Sequence, residues 1–271
     1  MEKIGVGIIT CNRPRFFVKC FRSIPLVDNI IVVNDGADFE DVSKLQQEKS
    51  FYYVHNKTNI GVGRSKNIAL KYLLEQGCTH LFLIEDDIVV KNKDVFNVYI
   101  NARKITGLQH FNFGYHGPAN RNNISKGQPV PRFIIDYGDT KIAINANSVG
   151  AFCYYTKEAL EETGLLDESY LNAFEHVDHD YRLFKAGYYT PYWNFADIAN
   201  SLEYLDELEC SENSSSIRPR SDWRQNIERG LQIFKNKHGY TPAWENRVPD
   251  STEEEVKKVL KTIYKKYSLK K

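Results

Sequence analysis

Three consecutive carboxylates, Glu85, Asp86 and Asp87, follow the apolar run Leu81 to Ile84 and precede Ile88, Val89 and Val90. Like charges at the end of a buried strand repel unless a cation or hydrogen-bond donors offset them. Oxygen ligands suit Mg2+ or Mn2+, which bind through one or two carboxylates together with substrate phosphate oxygens. The plain alternative is a set of acids that faces solvent or caps the next helix. A second group, Glu175, Asp178 and Asp180 with His176 and His179, opens a later helical stretch, where the helix dipole alone favours acids. Helical spacing puts Glu175, Asp178 and His179 on one face and turns Asp180 elsewhere. Carboxylates and histidines in that position can act as general bases. Equally, Asp178 and Arg182 at i,i+4 can simply brace the helix.

The elements that must position these groups alternate. Lys3 to Thr10 reads as a buried strand, Pro14 opens an amphipathic helix, and Asn29 to Asn34 reads as a second strand with the Asp35-Gly36 turn behind it. A polar helix over Glu40 to Lys49, a strand over Phe51 to Val54 and a helix over Arg64 to Glu75 follow, and His80 to Ile84 delivers the first acidic cluster. Such alternation favours a mostly parallel sheet with helices on both faces and a ligand crevice beyond the carboxyl ends of the strands. Thr10, Asp35, Asn59 and the acids all fall just past such ends and are expected to share one crevice. Taken singly, Asp35-Gly36 is an ordinary turn and Gly61-Val-Gly63 is weak evidence for phosphate binding.

Further on, Asp94 to Thr106 reads as a helix and Asn112 to Asp139 as a long polar loop rich in Gly, Asn and Pro, the kind that carries function or moves. Ser148 to Thr156 resumes strand character, Lys157 to Thr163 is a short helix ended by Gly164, and Glu175 to Ala186 is another. Ser211 to Asp222, with Arg218 and Arg220, is a linker or a lid that could close on phosphates. Trp223 to Lys237 reads as a helix, and Ser251 with Glu254 has capping-box spacing ahead of a last helix. That helix has an apolar stripe from Val256 to Tyr267 and a lysine-rich far side, either a solvated packing helix or a surface for anionic lipid or nucleic acid.

The 271 residues, 42% hydrophobic and 13% aromatic, suffice for one large domain or two small ones. A formal charge of +1 gives no whole-chain attraction to nucleic acid or anionic membrane. Five cysteines without CxxC spacing argue against a disulfide scaffold or a zinc site. No run has a signal-peptide layout or the length of a membrane span, which points to a cytoplasmic protein.

Five segments, in order, resemble family 2 glycosyltransferases with the GT-A fold. They are Gly5 to Pro14, Val32 to Gly36, Asn59 to Asn67, Leu83 to Asp87 as the DXD-type motif, and Glu175 to Gly187 as the late acidic motif. The resemblance covers about the first two thirds of the chain. It implies a Rossmann-like α/β fold, a mixed and mainly parallel sheet flanked by helices. Residues 1–205 would form the catalytic domain, with a nucleotide-sugar half at 1–110 and an acceptor half at 111–205; residues 206–271 would add a lid loop and a helical extension. The donor would be a nucleotide sugar, UDP-linked, and the cofactor Mn2+ or Mg2+. Thr10, Arg13 and Asp35 would hold the nucleoside, Lys66 and Asn67 would lie at the donor, and Lys66 would contact its phosphates. Asp87 would ligate the metal. Glu85 and Asp86 would touch ribose, sugar or metal-bound water, with Glu85 a second metal candidate. The Glu-Asp-Asp form is similar to that of N-acetylglucosaminyltransferase I and implies an N-acetylhexosamine donor.

Many members carry Glu-Asp where this chain has Glu175-His176, so the base of an inverting transfer is open among Asp178, Glu175 and His176. The implied acceptor is a bacterial surface glycan or lipid-linked oligosaccharide, ahead of protein or nucleic acid. The lysine-rich last helix allows peripheral membrane contact. A sugar nucleotidyltransferase shares the metal and a similar sheet, but would carry a Gly-rich, Arg-containing loop after its first strand, where this chain has Thr10 to Pro14. A binding module without catalysis is the other alternative.

Overall fold

A computed structural model describes residues 2–39, 41–122, 127–208, 221–239 and 252–269. Its central sheet has the order β3-β2-β1-β4-β9-β6. Strands β1 (Ile4–Thr10), β2 (Asn29–Asn34), β3 (Tyr52–His55) and β4 (His80–Glu85) are all parallel, and β9 (Phe152–Thr156) runs antiparallel between β4 and β6 (His110–Asn112). β1 sits in the middle because both its faces are apolar and its glycines admit a helix at close range. A Cβ on Gly7 would lie 2.7 Å from the Ala69 Cβ of α3 (Val62–Glu75). On the other face, α1 (Pro14–Ser23) starts at proline, whose missing N–H costs nothing in a first turn, and buries Phe17, Cys20 and Phe21.

The remaining strands are short and antiparallel. β5 (Ile88–Val90) leaves the acidic cluster and pairs with β11 (Leu205–Glu207), placing Ile88 opposite Glu207. β7 (Phe133–Asp136), β8 (Lys141–Asn145) and β10 (Phe195–Ile198) form a second sheet of order β10-β8-β7. The stretch 112–139, read as loop, therefore contains β7. Its partner is eight residues away and its faces alternate only half-buried with exposed, so its local signal is weak. The strand expected from Ser148 begins at Phe152, and residues 148–151 form a loop over the crevice instead.

Beyond α2 (Val42–Glu48) and α3, the described residues form five more α-helices: α4 (Val95–Thr106), α5 (Lys157–Thr163), α6 (Glu175–Lys185), α7 (Trp223–His238) and α8 (Glu253–Tyr267). Phe234 of α7 and Val256, Leu260 and Ile263 of α8 join the same hydrophobic core as the sheet. The capping box of α8 falls one residue later than its spacing suggests. Thr252 accepts from Glu255 N, and Glu255 accepts from Thr252 N in return. The Arg218 and Arg220 lid stretch, from 211 to 220, lies outside the described residues, as does Cys210. Among the described residues no helix is long and apolar enough to cross a membrane.

Candidate active site

The carboxyl edge of the parallel strands gathers the first acidic cluster. Thr10, at the end of β1, donates Oγ1–H to Asp86 Oδ2 at 2.6 Å. The Arg13 guanidinium grips Asp86 and reaches Asp87 Oδ2 with Nη1 at 3.1 Å. Arg13 is thus the cation that offsets the repulsion among the acids. Burial pushes the Asp86 carboxyl up to about 7, against the pull of Arg13. Asp35 lies beside Thr10 and accepts from Asn56 Nδ2 at 2.8 Å and from the backbone N–H groups of Ile60 and Gly61 at 2.9 Å each. Asn59 closes the same corner by donating to the Asp35 carbonyl at 2.9 Å.

Asp87 meets residues that no local pattern singled out. His116 Nε2 lies 3.4 Å from Asp87 Oδ1 and 3.8 Å from Glu207 Oε2. That ring nitrogen is buried and makes no well-formed hydrogen bond. Burial opposes the charged imidazole, but the neighbouring Asp87 outweighs it, so the His116 pKa is raised. Two carboxylates and an imidazole are a donor set that fits a divalent ion such as Mn2+. Among the described residues, however, no group of three or more His, Cys, Asp or Glu side chains stands so that it could hold a metal ion by itself. A metal completed by diphosphate oxygens needs only one or two protein ligands. The signal for His116 was the long polar loop that carries it; Glu207 had none, because only the β5–β11 pairing brings it to Asp87.

The late acidic motif arrives from the other side. Lys66 of α3 is 1% exposed, and its Nζ lies 2.9 Å from Glu85 Oε1 and 3.2 Å from Glu175 Oε1. It also donates to the Gly150 carbonyl at 3.0 Å. Burial alone would lower the Lys66 pKa, but Glu85 and Glu175 hold it above its ordinary value. Against the same burial, Lys66 and then His176 hold Glu175 well below the usual carboxylate range. The His176 Nδ1 sits 3.3 Å from Glu175 Oε1. Burial opposes its protonation, and Glu175 beside it more than compensates, raising its pKa. Gly150 must be glycine here, since a Cβ would lie 2.9 Å from the His176 ring. Glu85, His116, Asn172, Glu175 and His176 line a cavity of about 190 Å³. Glu175 Oε2 and Asn172 Nδ2 in it are buried and make no hydrogen bond.

Three of the expected residues are engaged within the protein. Asp178 does not line this cavity. It is fully buried, and its carboxylate is consumed by Arg182 at 2.8 Å, Lys237 at 2.9 Å and His238 at 2.7 Å. Asn67 spends its amide on Leu166 and Glu168, joining α3 to the loop before α6. Lys66 is enclosed between two carboxylates and not open to phosphates. Asp180, turned elsewhere as helical spacing requires, is buried too, accepting from Ser148 and pairing with His110 at 2.9 Å.

Comparison with known proteins fits this geometry. No family profile matches the chain. An uncharacterized glycosyltransferase of Acanthamoeba polyphaga mimivirus is 28% identical over 229 residues, covering 79% of this chain and 85% of that protein. TarS of S. aureus superposes with a TM-score of 0.57 at 13% identity over 98% of this chain. GalNAc-T7, solved with UDP, GalNAc and Mn2+, superposes with 0.58 at 11% identity over 99%. A shorter TarS chain in complex with UDP gives 0.55 at 13% identity over 97% of this chain and 70% of its own. The chain spans 44% of the first TarS chain and 55% of GalNAc-T7. Their common architecture is the GT-A fold of glycosyltransferases.

Proposed function

We propose that this GT-A enzyme moves a sugar, with inversion, from a nucleoside diphosphate donor, UDP-linked, to an acceptor hydroxyl, and that His176 Nε2 is its general base. The observation that supports it most is the bridge Glu85–Lys66–Glu175–His176, which joins the two acidic motifs across one cavity. Glu175 accepts from Nδ1–H and so fixes the tautomer, leaving Nε2 as the basic nitrogen. In the transfer the acceptor O–H proton passes to Nε2 and the oxygen bonds to the anomeric carbon. The bond from that carbon to the diphosphate oxygen breaks, its electron pair leaving with the nucleoside diphosphate.

A divalent metal, Mn2+ or Mg2+, would neutralise charge on the departing diphosphate, and Asp87 would hold it, with His116 beside it and Glu85 as the second candidate. Thr10, Arg13, Asp35 and Asp86 form the wall for the nucleoside. The late motif's His176 in place of the Asp common in family 2 sets this chain apart within the resemblance. An N-acetylhexosamine donor is the finer reading, supported by the Glu-Asp-Asp form of the motif; the proposed acceptor is a surface glycan. The catalytic unit proposed is 1–205. A binding module without catalysis has one observation in its favour, since Arg13 already pairs with both Asp86 and Asp87.

Calorimetry of UDP, GDP, CDP and dTDP, with and without Mn2+, on the wild type and Asp87→Ala tests the reading. Selective UDP binding that needs both metal and Asp87, with hydrolysis of a UDP-sugar, is expected. Binding indifferent to both would overturn the donor site, and binding with no turnover would favour the silent module.

A further inference from the structure

Two attachments from α7 flank Glu175 and His176 on the sequence of α6. On one side is Phe174, which holds φ at +70°, a left-handed backbone that bulky residues avoid. Its ring lies over Gly230 of α7, where an added Cβ would sit 2.6 Å from Phe174 Cδ2. On the other side is Asp178, held by Lys237 and His238 of α7 as well as by Arg182 of its own helix. Lys237 also reaches Asp167 at 2.8 Å, tying down the loop that leads into α6. Between these points α7 is anchored by the buried Phe234, whose ring meets Tyr181 and Tyr192.

We propose that α7 is a positioning element for the reaction, with Gly230 and Asp178 as positioning residues that fix the first turn of α6 and hence Glu175 and His176 against Lys66 and the Gly150 loop. The proposal rests on His176 as base for its kinetic consequence, but not for its geometry. Asp178 bonds its own backbone N–H to the Phe174 carbonyl at 2.9 Å, so the two attachments meet in a single helical turn with His176 inside it. Displacement of that turn by a fraction of an ångström carries Glu175 and His176 together away from Lys66 and the Gly150 loop, and misplacement of about 1 Å costs on the order of 100-fold in rate. The groups facing Asp178 are Arg182 from α6, Lys237 and His238 from α7, and Tyr170. Those facing His176 are Glu175, Lys66 and Asp180.

The test uses the full chain with Gly230→Ala, His238→Ala and the conservative His238→Gln. Readouts are kcat and donor KM across pH, and the ring resonance of His176, assigned with His176→Gln. Gly230→Ala is expected to lower kcat about 10- to 100-fold with donor KM within about twofold. It should also move the acid limb and shift the ring resonance, because the turn leaves Lys66 and the Gly150 loop. His238→Ala should do the same more weakly, and His238→Gln should recover it. A His176 resonance and pH profile unchanged in folded Gly230→Ala and His238→Ala would overturn the proposal. If Gly230→Ala does not fold, the His238 pair decides. Full activity in His176→Gln would sink the base assignment alone, because the ring resonance still reports whether α7 positions the turn.

Discussion

Lys66 determines how the two acidic motifs sit together. With its ammonium removed, Glu85 and Glu175 would face each other across a buried gap, and an uncompensated buried charge costs about 3–5 kcal/mol. Lys66→Met is therefore expected to lower unfolding stability by about that much in urea titration, and Lys66→Met/Glu175→Gln to recover part of it. At the same cluster, His176 carries the pH prediction. Its neutral ring is the base, and its pKa is raised by Glu175. Below that raised pKa the rate should fall about tenfold per pH unit, with the limb above the ordinary histidine value near 6.5. Glu175→Gln removes the raising charge, so the limb should move to lower pH while the plateau drops. His176→Ala should lose about 100- to 10,000-fold in kcat with donor affinity unchanged, which a calorimetric titration beside steady-state kinetics would verify.

At the scale of elements, the parallel half was legible and the antiparallel half, β9 apart, was not. β1 to β4 and their helices announce themselves by continuous apolar runs, proline and glycine punctuation and 3.6-residue periodicity. β7, β8, β10 and β11 are three to five residues long, and β10 and β11 are defined by partners fifty or more residues away, so little in their local sequence specifies them. The site followed the same division. Glu85, Asp86, Asp87, Glu175 and His176 stand in recognisable order, whereas His116 and Glu207 reach Asp87 only through a loop and a distant pairing. Helical spacing cannot reveal that α7 places Lys237 and His238 against Asp178. The entry to α3 gives an element-scale prediction. Gly61 holds φ at +96°, and a Cβ there would meet the Leu171 carbonyl at 2.4 Å. Gly61→Ala should cost about 2 kcal/mol or more and loosen the Asp35 corner, measurable as a lower urea midpoint together with weaker nucleotide binding.

For the whole molecule, Asp197 links the second sheet to the first. It accepts from the Tyr99 hydroxyl at 2.7 Å and from Gly114 N at 3.0 Å, yet burial pushes its carboxyl up to about 7. The folded pKa lies above the unfolded value, so the folded state holds the proton more tightly. Its stabilising contribution is fully present below about pH 4 and is lost as pH rises to about 7. Asp197→Asn should flatten that part of the stability curve, and should also cost about 1–3 kcal/mol because its amide cannot accept from both donors; thermal melts across pH would register both effects.

Arg13 has a consequence for the order of assembly. Because its guanidinium already pairs with Asp86 and Asp87, part of their charge is offset in the ligand-free crevice, and a metal arriving alone gains less. A diphosphate brings the negative charge that both Arg13 and the metal can share. Thermodynamic linkage then requires reciprocity: nucleotide tightens metal binding by the same factor as metal tightens nucleotide binding. The two should load as one cooperative unit, and neutralising Arg13 should uncouple them, letting the metal bind by itself.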